Sequence, residues 1–382
     1  MAKFLHTSDW HIGRLFQNVS LLEDQLHVLR QIKHYALEHK VDALVIAGDI
    51  FDRAVPPAEA VDALNAFLAD FMAELCIPVI MISGNHDSAK RLRFGAPFMS
   101  GSGLYILGDI RNVSTPIEVQ SQTGPVHFFG IPYHDPVEVR EAFDVDTRTY
   151  DEAHTHLVQL AEQARVAGVP SVLISHCFID GAEESDSERR LSIGGADRVS
   201  YQPLVCFDYV ALGHLHAPQY KGAEHIRYSG SLLKYSFSEY RQRKGVTLVE
   251  ISAEKTSWQH LPLIPKRDMR VIEGSLDELI EQGQQDPRAD DYILARLTDK
   301  QDLLEPMAQL RQVYANTLEL ERTRFSVSQG SQLVADVSNK RSEDQVFKDF
   351  FGQVMGDDLT DAQNELLLEI IDEARSTMEG EA

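Results

Sequence analysis

An aspartate and a histidine two residues apart, Asp9 and His11 in FLHTSDWHIG, follow closely on the apolar pair Phe4-Leu5. Such groups are seldom buried without a partner, so their place at a strand end demands one. The same event recurs along the chain: Asp49 follows VDALVIAG, Asn85 and His86 follow IPVIMISG, His176 follows PSVLIS, and His214 and His216 close FDYVALGHLH. In extended backbone, residues i and i+2 point to one side, so Asp9 with His11 and His214 with His216 can each grip from one face. Any one of these histidines alone is read more simply as hydrogen-bonded, and GNHD alone as an ordinary turn. Together they are different, because gathered carboxylate, amide and imidazole donors are costly to bury unpaired and metal ions satisfy them.

The elements that must position these residues are legible. Up to about residue 260, short Val/Ile/Leu runs alternate with amphipathic stretches such as LLEDQLHVLRQIKHYALEH and PPAEAVDALNAFLADFMAELC, the latter with prolines where a helix tolerates them. Unbroken apolar runs are strands covered on both faces, which predicts a layered α/β domain over residues 1–264. In such sheets ligands sit beyond the carboxyl ends of strands. The glycines of AGD, SGNHD and LGHLH let the backbone turn sharply there. After IPKRD the pattern becomes RVIEGS, LDELIEQG, DYILARLTD, LLEPMAQLRQVYA and TLELERT. It reads as strand, helix, strand, helix, strand, a small α/β unit over 265–326. A polar linker, 327–341, leads to two short helices within 342–382. Their apolar stripes are Val346, Phe347, Phe350, Phe351 and Val354, then Leu359, Ala362, Leu366, Ile370 and Ile371.

The 382 residues, 43% hydrophobic and 25% charged, have the composition of a folded soluble protein. No apolar run approaches a bilayer span and the first residues lack a signal-peptide pattern, so a cytosolic location is expected. Cys76, Cys177 and Cys206 show no C-x-x-C spacing and are expected to be reduced, packed thiols. A formal charge of −23 repels nucleic acid in general, so DNA binding would need local basic patches, bound cations or a partner. His154 and His156, two apart in a helix, are expected to be solvated. His27, His34, His39, His127, His134, His225 and His260 are expected to be surface or satisfied histidines.

The ordered set D-x-H, G-D, G-N-H-D, a lone strand-end H and G-H-x-H resembles the calcineurin-type metallophosphoesterase superfamily. The stretches SDSERRLSIGGADRVSYQPLVCFDYVALGHLHAPQ and IRYSGSLLKYSFSE resemble, more narrowly, the SbcD family of bacterial double-strand-break repair nucleases. The likeness is close over about the first 260 residues and extends to the remainder only in layout. It implies an α/β fold: a layered metallophosphoesterase β-sandwich flanked by helices, with a small α/β cap domain that binds DNA and C-terminal helices that dock an ATPase partner. One ion would be held by Asp9, His11 and His216, the other by Asn85, His176 and His214, with Asp49 bridging. Two such ions can drive in-line displacement at a phosphodiester. The mixed donors fit manganese, with iron or zinc as alternatives. His86, not needed to complete the shell, is the candidate general acid or phosphate stabiliser, with Asp87 orienting its ring. Asp52 departs from the archaeal and eukaryotic branch, which places a histidine there, and Leu232 stands where many relatives have proline.

The resemblance implies a nuclease cutting duplex ends and single-stranded or hairpin DNA, in repair, recombination and replication. It further implies a nucleoid-associated complex with an SbcC-type ATPase, two copies of each, and no membrane. Small-substrate phosphatases of the superfamily and a non-catalytic DNA-end scaffold are the competing readings. A structural metal site closes its coordination and needs no adjacent acid, which disfavours the scaffold. Lys90, Arg91, Arg93, Arg189, Arg190, Lys234, Arg241, Arg243 and Lys244 lie near the site motifs in sequence and favour a polymeric phosphate; the plainer reading of each is a solvated charge.

Overall fold

In this computed structural model, residues 1–188, 197–322, 344–345, 347–348, 351 and 359–379 are described. The chain divides into two compact units, Met1–Met269 and Arg270–Ala382.

The first unit is built on two six-stranded sheets. In one, Ala2–Thr7, Ala43–Ala47, Val79–Ile82 and Leu104–Leu107 run parallel, and Gly245–Ile251 and Thr256–Pro262 extend it antiparallel. In the other, Gly124–Ile131, Ser171–His176, Tyr209–Gly213 and Ala223–Tyr228 run parallel, with Ile117–Ser121 and Gln219–Lys221 antiparallel at the edges. Alternate residues of both sheets meet in one core: Phe4, Val45, Ala47, Ile80 and Ile82 from the first, Phe128, Val172, Ile174, Tyr209 and Ala211 from the second. The intervening residues Leu5, Leu44 and Ile46 are also fully buried, which is why these strands are apolar without alternation. Helices Leu22–His39 and Ala58–Leu75 bury one stripe each, Val28, Leu29, Ile32 and Ala36 on the first and Leu64, Phe67, Leu68 and Phe71 on the second. Helix Tyr150–Gln163 packs Ala153, Leu157, Val158 and Ala161 against the second sheet's outer face. Its start is fixed by a capping box in which Thr149 and Glu152 satisfy each other's backbone N–H.

That inner stripe also carries His154, so the expectation of a solvated histidine is wrong for this residue. His154 is buried, its Nε2 lies 2.9 Å from Ser175 Oγ, and its ring stacks on His134. His156, on the helix rim, packs edge-on to Phe143. Of the thiols, Cys177 is buried, Cys206 partly so and Cys76 exposed; all three are free. Among the described residues no helix is long and apolar enough to cross a membrane.

The second unit has a three-stranded sheet of Met269–Gly274, Tyr292–Leu297 and Thr317–Arg322, with helices Leu276–Gly283 and Pro306–Leu310 closing a core of Leu276, Leu279, Ile293, Ala295, Leu310 and Tyr314. A helix over Asp361–Glu379 follows. On it Leu366 and Ile370 are exposed and Leu367, outside the expected stripe, is the buried residue. Phe347 is exposed too. Val346, Phe350, Val354 and the linker 327–341 lie outside the described residues.

Candidate metal centre

The carboxyl ends of five strands deliver the seven proposed ligands to one spot. Asp9, His11, Asp49, His176 and His216 are at most 2% exposed, and His214 is buried as well. Loop pairing aligns them: Asp9 N–H donates to the Gly48 carbonyl and His11 N–H to that of Asp49. Asp9, His11, Asp49 and His214 all take positive φ, between 45° and 104°. Non-glycine residues adopt this backbone at a cost of roughly 1–2 kcal/mol each, and such strain concentrates at functional sites. Gly48 (φ +90°) permits the approach of His176, and a Cβ at Gly84 would collide with the Asp49 carboxylate.

Two sets of donors emerge. His11 Nε2 faces His216 Nε2 at 3.2 Å, and both belong with Asp9 to a cluster within 4.8 Å. His176 Nε2 and His214 Nδ1 lie 2.9 and 3.0 Å from Asn85 Oδ1. Asp49 Oδ2 stands between the sets, 3.6 Å from His11 Nε2 and 3.5 Å from His176 Nε2. Tautomers follow from the outer contacts. His176 Nδ1 donates to the Ala47 carbonyl at 2.9 Å, so a neutral ring presents the Nε2 lone pair to the Asn85 oxygen. With a cation in the site, that lone pair and the Asn85 oxygen would face it together; with the ring charged, Nε2–H donates to the oxygen instead. His216 Nδ1 is engaged by Ser187 Oγ at 2.6 Å and by Glu239 Oε1 at 3.4 Å, which turns Nε2 inward.

The electrostatics agree. Burial drives Asp9 up to about 6. Burial disfavours the imidazolium of His176, yet the Asp49 carboxylate holds it at about 9, a proton standing where a divalent cation fits. His214 falls to about 3, through burial first and then through His176. Burial opposes ionisation of Asp49 too, but His176, His11 and His86 keep it charged. With nitrogen and oxygen donors on both sides and a shared carboxylate, the residues fit a pair of divalent cations.

His86 lies at the mouth of this cluster, its ring 4.6 Å from that of His11. Its backbone N–H donates to Asp49 Oδ1 at 2.8 Å, and its Nδ1 lies 2.9 Å from the Asp52 carbonyl. Asp52, not Asp87, therefore orients the ring. The Asp87 carboxylate instead accepts the backbone N–H groups of Ile50, Phe51 and Gly84 at 2.9–3.0 Å, tying the Asp49 loop to the Asn85 loop. Burial and the nearby Asp49 charge lift its pKa to about 7.

The basic residues separate. Lys90 and Arg91 are exposed, and Arg93 is paired with Asp109 at 2.5 Å. Arg241 and Arg243 are exposed. Lys234 and Lys244 are turned inward: Lys234 pairs with Asp268 at 2.8 Å, and Lys244 is buried against Glu239 at 2.5 Å and the His216 carbonyl at 2.8 Å. Neither ammonium is presented to a polymer, because each is spent on fixing the chain. Arg189 and Arg190 lie outside the described residues. Sequence reasoning missed Arg14 and Arg53, which line a cleft of about 460 Å³ with Asp52, Asn85 and His86. It also missed Glu239, whose acid within the basic run SEYRQRK was the available signal.

Residues 2–218 match the calcineurin-like phosphoesterase family, and residues 265–355 match the type 5 capsule protein repressor C-terminal domain. The SbcD subunit of the nuclease SbcCD from Staphylococcus epidermidis (strain ATCC 12228 / FDA PCI 1200) is 34% identical over 372 residues, 97% of this chain and 98% of that protein. Among solved structures, a dimetal phosphatase from Danio rerio is 11% identical, with 69% of this chain and 96% of that one covered at a TM-score of 0.39. The protein TT1561 of Thermus thermophilus is 15% identical, with 68% and 98% covered at the same TM-score of 0.39.

Proposed function

Because the chain belongs to the calcineurin-like phosphoesterase family, and within it to that of the SbcD nuclease subunits, we propose that it is a metal-dependent DNA nuclease subunit working with an SbcC-type ATPase. The observation that carries this reading is the shared position of Asp49 between two donor sets. Asp9, His11 and His216 would hold one divalent ion, Asn85, His176 and His214 the other, and Asp49 both. When bound, such ions supply Lewis acidity to a phosphodiester and activate water for in-line attack. Manganese is the ion we assign, since imidazole, carboxylate and amide donors are mixed.

The chain's own residues do the rest. His86, with Nδ1 held by the Asp52 carbonyl, has Nε2 left for substrate. In the imidazolium form it gives the Nε2 proton to the departing oxygen and keeps its Nδ1–H on Asp52 throughout, so the ring does not turn during the step. Glu239, paired with Lys244, holds the His216 ring. Duplex ends and single-stranded or hairpin DNA are the substrates of this reading, in repair, recombination and replication, within the cytoplasm at the nucleoid. The exposed Leu366, Ile370 and Phe347 suit docking onto the ATPase, in a complex with two copies of each subunit; the small second unit is assigned to DNA.

The test compares linear, hairpin and supercoiled DNA with a small aryl phosphodiester, in manganese and then with chelator, for the parent and Asp49→Ala. The parent should bind two ions per chain and cut DNA; Asp49→Ala should lose both ions and all cleavage while remaining folded. Two ions retained in Asp49→Ala would refute the bridging role, and a parent that hydrolyses only the aryl ester would make the protein a small-substrate phosphodiesterase.

A further inference from the structure

Asp52 is not one of the seven proposed ligands, although its Oδ1 lies 3.8 Å from His11 Nδ1, and its carboxylate carries two arginines. Oδ1 accepts from Arg14 Nη1 at 3.2 Å, and Oδ2 lies 3.6 Å from Arg53 Nε. Arg14 is held on two further sides: its guanidinium lies 5.0 Å over the Tyr235 ring and Nη2 donates to the Ser187 carbonyl at 3.4 Å. Tyr235 is itself fixed by donating to the Trp10 carbonyl at 2.5 Å. The two side chains differ in freedom, 15% exposed for Arg14 and 59% for Arg53. Both border the cleft that opens onto Asn85 and His86.

One guanidinium balances the charge of a carboxylate, so Arg14, Arg53 and Asp52 together carry +1 in a chain of formal charge −23. We propose that Arg14 and Arg53, spaced by Asp52, form a clamp for the phosphates flanking the scissile one in a nucleic-acid strand. The clamp rests on the nuclease reading above and deepens it, because it gives the site a preference for a polymer over a lone phosphoester. Arg14, already immobilised, loses little side-chain freedom on binding, and its planar fork matches a phosphate bidentately. Arg53 reaches from the rim. A small ester placed at the donor cluster has no flanking phosphate and gains nothing from either arm.

The experiment uses the full chain with manganese and the variants Arg14→Ala, Arg14→Lys and Arg53→Ala. Rates on a DNA oligonucleotide over a range of salt are set beside those on an aryl phosphodiester, with metal content measured throughout. Each alanine variant should raise KM for DNA by about tenfold and flatten its salt dependence by about one unit of log–log slope. kcat should fall by less than about threefold, and the aryl ester should suffer less than DNA. Arg14→Lys should recover part of the affinity, since a point charge replaces the fork. Parental KM and salt slope in both alanine variants overturn the clamp and leave the nuclease reading intact. Equal losses on both substrates, accompanied by lost metal, overturn it too, by making the arginines supports of the donor cluster. A parent that fails to cut DNA while hydrolysing the aryl ester overturns both.

Discussion

Asp87 supports the centre without entering it, and its removal has a size that can be worked out. Its Oδ2 accepts from Ile50 N and Gly84 N at 3.0 and 2.9 Å, and its Oδ1 from Phe51 N at 3.0 Å. Asp87→Ala strands three backbone donors at the junction of the loops bearing Asp49 and Asn85. A buried donor without a partner costs about 1–3 kcal/mol. The three contacts are part-buried, so water reaching the freed N–H groups recovers some of this and the expected loss is about 3 kcal/mol, the low end of the sum. Asp87→Asn can keep its oxygen at the Oδ2 position and satisfy Ile50 and Gly84, but it turns an NH₂ toward Phe51 N–H; about 1–2 kcal/mol is expected. Urea unfolding of the metal-free proteins, followed by manganese titration, reads both effects. The alanine variant should also need more manganese for half-maximal activity and regain turnover when saturated, because the loops that carry the ligands are loosened while the ligands remain. Stability of Asp87→Ala within about 0.5 kcal/mol of the parent, the range of an ordinary surface substitution, would refute the reasoning.

His86→Gln should retain both ions and parental DNA affinity while turnover drops about 10²–10⁴-fold; loss of one ion per chain would make the residue a ligand, and parental turnover would make it a turn former. Removal of residues 342–382 should leave manganese-dependent cleavage of simple substrates but abolish co-purification with SbcC, and an undiminished complex would contradict the docking assignment. Burial lowers His6 and His154 from 6.5 to about 3. Each is therefore neutral in the fold, and the stability this confers is present above pH 6.5 and lost as pH falls below it, when the unfolded chain takes up the proton. Between pH 7 and pH 5 each should account for about 2 kcal/mol of lost stability. Accordingly His154→Gln should flatten the pH dependence of the urea midpoint by about that amount, and an unchanged slope would show that the ring is not the source.

The donor cluster was legible in the sequence for a physical reason. Parallel strands buried on both faces are unbroken apolar runs, so a polar residue at the end of such a run stands out, as at Asp9, Asp49, Asn85, His176 and His214. What lies around the proposed ligands was harder. The inward turn of Lys244 depends on Glu239 being brought against it by tertiary packing; the acid in SEYRQRK offers a partner, but its place in the sequence does not show that the two meet. His154 was misjudged because separation from His156 shows that two residues diverge, not which faces the sheet; the spacing of Ala153, Leu157, Val158 and Ala161 held that answer. The work of Asp87 was misassigned because a side chain that binds backbone leaves no trace in residue types, and the Asp52 carbonyl that holds the His86 ring is likewise invisible in a sequence.

The left-handed backbone at Asp9, His11, Asp49 and His214 bears on how such a chain can change over generations. Each of these residues holds its place against local preference, so replacement by glycine or asparagine, which accept that conformation more readily, would relax the loops while destroying the site. Inactivating substitutions here need not be purged by misfolding and can leave a chain as stable as its ancestor or more so. Descendants that keep the sandwich but not the chemistry are thus readily reached, and when a chain with this outline is met, its outline says little about catalysis until those four positions have been read.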